Sequence, residues 1–343
     1  MKLKLTHQRL LGATLLAIGA FGSLASLPAH ASAFSGLFIF GDSLSDSGNN
    51  SLAGANGPAQ VITGNTYVPT LTYAPGGGYP LGVYSNGPVW ATSFAAGMGL
   101  SAAPSLAGGG NYAFGGAETS QAGPGPGGFP YSMKVQVGMF MADHGNSAAS
   151  DALYVVAGGG NNARAAAQAL MTPGLSWAQQ VAIISNNASH FATDTGQIVD
   201  SLQAAGAKNI VVWNTPNIGI TPFASATGTQ GLFDLLATTM NDALAYRMAG
   251  EVGVKTFDLY GLTQQISANP GAYGLSNAVD ACGAAINNCD PATALFWDGI
   301  HPTAVGHQMI AGGMMAVAVP EPATYLMFAL GLVGLLAWQR RRA

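Results

Sequence analysis

Four short apolar runs punctuate the chain, each bounded by turn residues: Gly36–Phe40, Ala152–Val156, Ile210–Trp213 and Val254–Asp258. None alternates apolar with polar positions, so each predicts a strand buried on both faces. Between and after them the pattern turns helical. Trp177–Ala205 predicts a helix stopped by Gly206, and Leu232–Val252 and Thr303–Val317 predict two more. The leucines and methionines of Leu232–Val252 read as core. Strands alternating with helices predict an α/β fold, a mainly parallel sheet covered on both faces. Functional groups of such sheets gather outside the carboxyl ends of the strands, here the residues just after Phe40, Val156, Trp213 and Asp258. Two stretches rich in Gly and Pro, Gly54–Gly87 and Gly108–Gly128, predict long surface loops.

The two ends follow a different pattern. Residues 1–33 carry Lys2, Lys4 and Arg9, then an apolar run from Leu10 to Leu27, then small residues around Ala29, Ala31 and Ala33, which is the layout of a secretory signal peptide. Export places the body in an oxidising compartment, where Cys282 and Cys289, the only cysteines, can pair across a short loop; two free thiols are the alternative. Two cysteines alone make a poor metal site, so no metal is expected. Near the other end, Ala323–Trp338 is uncharged and mostly apolar, preceded by Pro320-Glu321-Pro322 and followed by Arg340, Arg341 and Arg342. At about 1.5 Å per residue this segment reaches roughly 24 Å, a short transmembrane span, with the arginines on the cytoplasmic side. Domain bounds follow: a leader over 1–33, a body over 34–318 and a tail over 319–343.

Charge narrows the function. Only 8% of residues are charged, against about 25% in ordinary globular domains. Between Ala33 and Val319 five basic residues face fourteen acidic ones, a formal charge of −9. A body so poor in cations argues against a nucleic-acid partner.

The first apolar run delivers the chain into Gly41-Asp42-Ser43-Leu44. A serine carried by a buried strand into a turn presents its hydroxyl at the sheet edge, and a helix following it would aim N–H groups at an oxyanion formed there. A serine hydroxyl is a weak nucleophile until a base takes its proton, and His301 is the candidate base. Asp298 precedes it by three residues, so a single turn could bring its carboxylate to the imidazole and hold the tautomer. No Gly-x-Ser-x-Gly elbow is present, which weakens an α/β-hydrolase reading.

Four segments in order carry a family resemblance: Gly41-Asp42-Ser43-Leu44, Gly110–Ala117, Gly159-Gly160-Asn161-Asn162 and Asp298-Gly299-Ile300-His301. Together with Ser85–Trp90, Asn214–Pro222 and Leu295–Gly299 they resemble the GDSL/SGNH hydrolases over Phe34 to Val317. The resemblance implies a three-layer α/β/α sandwich and an exported carboxylic-ester hydrolase, an esterase or lipase working through an acyl-serine on a small-molecule or lipid ester, without a cofactor. It implies a triad of Ser43, Asp298 and His301, and an oxyanion hole made by Ser43, Gly116 and Asn161, with Gly115 as the neighbouring possibility. The family's usual aspartate after Asn161 is Asn162 here, which puts a supporting hydrogen bond in question. Acyl transfer from the same site is the enzymatic alternative, and a surface matrix protein that keeps only the fold is the non-enzymatic one. The tail resembles the PEP-CTERM sorting signal of Gram-negative bacteria, which implies an exosortase-like protease as partner, tethering in the inner membrane, and release to the cell surface or medium.

Other chemistry-bearing residues read as structural. His307 is a helix-surface or packing residue, and His144 and His190 are solvated. Asp46 either caps a helix or braces the site. Gly158–Gly160 lacks the Lys-Ser/Thr of a phosphate loop.

Overall fold

The computed structural model describes residues 34–54, 79, 81–319, 331–332 and 339–340. The leader, most of the Gly54–Gly87 loop and nearly all of the tail, including its expected transmembrane span, lie outside the described residues. Among the described residues no helix is long and apolar enough to cross a membrane.

In chain order the elements are β1 (Leu37–Gly41), α1 (Asn49–Ala53), α2 (Trp90–Gly97), α3 (Met133–Asp143), β2 (Leu153–Ala157), α4 (Gly160–Leu170), α5 (Trp177–Ala204), β3 (Asn209–Trp213), α6 (Pro222–Thr227), α7 (Gln230–Met248), β4 (Val254–Phe257), α8 (Leu259–Ala268), β5 (Asn277–Ala281), β6 (Ala294–Phe296) and α9 (Ala304–Ala318). β1 to β4 pair in that order, all parallel, with Leu37 opposite Leu153 and Ile210 opposite Val254. Successive strand side chains point to opposite faces, and each face meets its own helices. Phe40, Tyr154, Val156, Ile210 and Val212 pack with Phe140 of α3, Phe191 and Leu202 of α5 and Phe233 and Met240 of α7. Leu37, Ile39, Val155, Val211 and Trp213 pack with Trp90 and Phe94 of α2 and Ile310 and Met314 of α9. Two buried faces explain the unbroken apolar runs, and the three layers are those expected. Truncating a core anchor such as Phe40 to Ala would cost about 3–5 kcal/mol.

The expectation that β4 is buried on both faces is corrected. Lys255 and Thr256 are exposed, because β4 pairs only with β3 among the described residues and forms the sheet edge. The opposite edge is covered by the second Gly-rich loop: Gly110–Phe114 runs beside β1, through Ile39 N–H to Gly110 O at 3.0 Å and Tyr112 N–H to Ile39 O at 2.7 Å. The short β5–β6 pair is a separate parallel sheet with an irregular register. Beside it Cys282 and Cys289 are joined by a disulfide.

α9 starts beside the carboxyl ends of the strands, where Thr303 caps it by accepting the Gly306 N–H at 3.1 Å. It then returns toward the strand starts. Its last residue, Ala318, lines a cleft of about 510 Å³ with Phe34, Leu153, Asn209 and Val254.

Candidate active site

Gly41, the last residue of β1, has no room for a side chain, since a Cβ would lie 2.5 Å from the Ala157 carbonyl oxygen. Its peptide is clamped by the buried amide of Gln136 on α3, which accepts from Gly41 N–H and donates to Gly41 O, both at 2.8 Å. The chain then turns through Asp42-Ser43-Leu44, closed by Ser45 N–H to Asp42 O at 3.0 Å and Leu44 N–H to the Asp42 carboxylate at 3.0 Å. The fully buried Trp90 holds this turn from below, donating its indole N–H to Ser45 Oγ at 3.1 Å.

A helix does not follow Ser43 directly, and this corrects the sequence reading. α1 begins only at Asn49, and its first amides are taken by Asp46, which accepts from Gly48, Asn49 and Asn50 at 2.8, 2.6 and 3.2 Å. The same carboxylate accepts the Gly115 N–H at 3.0 Å. Asp46 therefore both caps the helix and braces the second block. Burial pushes its carboxyl up to about 6 against the pull of these four N–H groups. With the Gly115 N–H engaged by Asp46, Gly116 is the one of the two neighbouring glycines that lines the cavity beside Asn161. Gly116 has φ 88°, a left-handed conformation that suits glycine.

β6 delivers the opposite wall. Trp297 N–H donates to His301 O at 2.8 Å, folding 297–301 into a tight loop. Inside it Asp298 Oδ1 accepts the backbone N–H groups of Ile300 and His301 at 2.8 and 2.7 Å. His301 Nδ1 lies 2.6 Å from Asp298 Oδ2, and Nε2 lies 2.7 Å from Ser43 Oγ. An ionised carboxylate only accepts, so Nδ1 carries the proton and Nε2 is left to accept from the serine. Asp298 is fully buried and His301 nearly so. Burial alone would push the Asp298 carboxyl up, but the facing imidazole and the donors around it hold it below the ordinary carboxylate range. Ser85 and Asn86 fasten the loop from outside, Ser85 Oγ donating to Pro302 O at 3.0 Å and Asn86 Oδ1 accepting the Ala304 N–H at 2.8 Å.

Asn161 stands in the first turn of α4, above the end of β2. It donates to Ala117 O at 3.0 Å and accepts from Arg164 Nη1 at 3.2 Å. Asn162 replaces the questioned hydrogen bond with two: it accepts from Thr119 N–H at 3.2 Å and donates to Thr119 Oγ1 at 3.0 Å. That hydroxyl in turn donates to Asp194 Oδ2 at 3.2 Å, an arrangement in which an ionised aspartate at 162 could accept but not donate. A crevice lined by Ser43, Asn161, Arg164, Ile218, Ile300 and His301 opens beside a cavity of about 340 Å³ lined by Gly116, Glu118, Asn161, Arg164, Ala165, Phe223 and Phe233.

All the residues singled out for catalysis thus meet at the carboxyl ends of β1 and β2. Three that matter there were not singled out, Gln136 at the Gly41 peptide being the first. Tyr79, buried, donates its hydroxyl to Asp298 Oδ2 at 2.5 Å, and Arg164 meets Asn161; a lone tyrosine in a Gly-rich loop and an arginine on a helix carry no motif. His144 and His190 are exposed. His307 resolves to packing: it is fully buried, neither ring nitrogen has a hydrogen-bond partner among the described residues, and burial pushes its imidazole down to about 3, so it is neutral. Among the described residues no cluster of His, Cys, Asp and Glu could hold a metal ion.

Comparison with known proteins shows what the chain is similar to. An uncharacterized protein in the trpE-trpG intergenic region of Pseudomonas putida is 30% identical over 309 residues, covering 82% of this chain and 48% of its own length. Esterase EstA of Pseudomonas aeruginosa is 29% identical over 343 residues, covering 87% of this chain and 49% of its own length. The chain spans about half the length of the curated relatives it matches. Phospholipase A1 from Streptomyces albidoflavus NA297, a solved structure, is 18% identical with a TM-score of 0.36, covering 82% of this chain and 98% of its own. Residues 318–342 match the PEP-CTERM protein-sorting motif. Residues 37–313, from the first strand to the last helix, match the GDSL-like lipase/acylhydrolase model, and the chain belongs to that family.

Proposed function

We propose that this protein hydrolyses carboxylic esters in two steps through an acyl-serine at Ser43. The observation that carries the reading is the continuous contact from Ser43 Oγ through His301 to the buried Asp298, at 2.7 and 2.6 Å. Ser43 Oγ attacks the ester carbonyl while His301 Nε2 takes its proton, and Asp298 stabilises the imidazolium. The carbonyl oxygen, now negative, is met by the Ser43 and Gly116 N–H groups and by the Asn161 amide. His301 returns the proton to the departing alcohol; water, activated by the same base, then releases the acid. The alcohol must leave on the His301 side, where Pro216, Ile218 and Ile300 line the crevice. The acyl group accordingly occupies the cavity on the Asn161 side, walled by Phe223 and Phe233.

The sorting motif supports export, a temporary membrane tether and recognition by an exosortase-like protease. Two measurements test the whole. A p-nitrophenyl phosphonate should add to Ser43, seen by peptide mass, and Ser43→Ala should abolish both this adduct and p-nitrophenyl ester hydrolysis without altering the melting temperature. Ester turnover unchanged in Ser43→Ala would overturn the reading.

A further inference from the structure

An oxyanion donor made from an asparagine side chain has a problem that a backbone amide lacks. The amide can rotate by half a turn about its last bond, exchanging oxygen for nitrogen, and in the wrong orientation it would repel the charge it should stabilise. Asn161 sits between two groups that remove the choice. On one side is the carbonyl of Ala117, which can only accept, 3.0 Å from Nδ2. On the other is the guanidinium of Arg164, which can only donate, 3.2 Å from Oδ1. Rotating the amide would set N–H against N–H and oxygen against oxygen. Arg164 follows Asn161 by three residues on α4, so the helix itself keeps the two side chains on one face.

We propose that Arg164 is a positioning residue for the oxyanion hole: it fixes the Asn161 amide with its nitrogen turned inward and, by donating a charged hydrogen bond to its oxygen, strengthens the remaining N–H as a donor. One Nδ2 hydrogen is used on Ala117, and the other is left for the crevice that Asn161 shares with Ser43 and His301. Polarisation along a hydrogen-bonded chain makes each later donor stronger, and a cationic first donor does so more than a neutral one. The positive charge has company: the carboxyl groups of Asp42 and Glu118 both lie within its field. This inference rests on the reading of Asn161 as an oxyanion donor. Because Arg164 also lines the acyl cavity, the competing role is direct contact with substrate.

A double-mutant cycle separates the roles. Hydrolysis of a p-nitrophenyl ester is measured for the full chain, Arg164→Met, Arg164→Lys, Asn161→Ala and Asn161→Ala/Arg164→Met. Arg164→Met should lower kcat about tenfold with KM within about twofold, and Arg164→Lys should restore most of the loss. In the Asn161→Ala background, Arg164→Met should add less than about twofold. A loss carried by KM, or one undiminished in that background, overturns the positioning role while leaving Asn161 as the donor. No loss of kcat in Asn161→Ala overturns the donor reading and the proposal with it. Should Arg164→Met fold poorly, Arg164→Gln takes its place. The rate of Ser43 phosphonylation, which needs the oxyanion donors but no particular acyl chain, should then fall in parallel, and an unchanged rate rejects the proposal.

Discussion

Tyr79 and His301 donate to the same oxygen of Asp298, at 2.5 and 2.6 Å. The carboxylate that orients the base is thus itself held by a hydroxyl from a loop far away in sequence. Tyr79→Phe removes one of the donors that fix the position of Asp298 Oδ2. The groups facing this pair are Asp42, His307 and the ring of Tyr84, none altered by the change. The expected result is a several-fold lower kcat with KM little changed, because the carboxylate that orients the base is less firmly held. An unchanged kcat would reduce Tyr79 to a packing role.

Asp298→Asn should lower turnover by on the order of 10³–10⁴-fold, because an amide at this position can hold the wrong imidazole tautomer. Steady-state kinetics beside thermal melting gives the answer. If His301→Ala is severe and Asp298→Asn is mild, the orienting role is wrong.

Asn161→Ala should lower kcat by about 100-fold or more with KM little changed, since its contact is made mainly in the transition state. A rise in KM alone would mean that Asn161 only places the substrate.

Ala165 is exposed and lines the cavity assigned to the acyl group. Ala165→Trp should fill that space without disturbing the core. Turnover of p-nitrophenyl acetate is expected to survive, while that of hexanoate and longer esters falls by about tenfold or more. Equal losses for all chain lengths would move the acyl group elsewhere.

The Asp42 carboxyl is pushed up by burial from 3.8 to about 6. With its folded value above its unfolded one, the native state binds the extra proton between these limits. Stability is therefore lost as pH rises through that window, and the full cost stands above it. Asp42→Asn keeps an acceptor for the Leu44 N–H and removes the buried charge. It should be more stable than the parent by about 2–3 kcal/mol near pH 7.5 and no more stable near pH 4. Denaturant titrations at the two pH values test this, and a difference independent of pH would reject it.

The four main strands and the three long helices were legible because each carries a pattern longer than its noise: an unbroken apolar run, or a helical stretch ended by Gly206. The Ser43, Asp298 and His301 constellation was legible because its blocks are local in sequence. What escaped depends on contacts between distant segments. β6 has three residues, too few for a period, and β4 looked interior because its sequence does not reveal that, among the described residues, it pairs with β3 alone. The short α1 replaced the expected oxyanion helix because Asp46 captured its amides. Gln136, Tyr79 and Arg164 act only through what they meet.

α9 carries the chain from the catalytic loop back to the strand starts, about 22 Å at 1.5 Å per residue over its length. The sorting motif begins at Ala318, where this helix ends. The catalytic loop and the sorting motif are thus the head and the foot of a single helix. On the proposed reading, an ester meets Ser43 beyond the start of this helix, and the sorting motif begins at its end, so the two recognition events fall at opposite ends of α9.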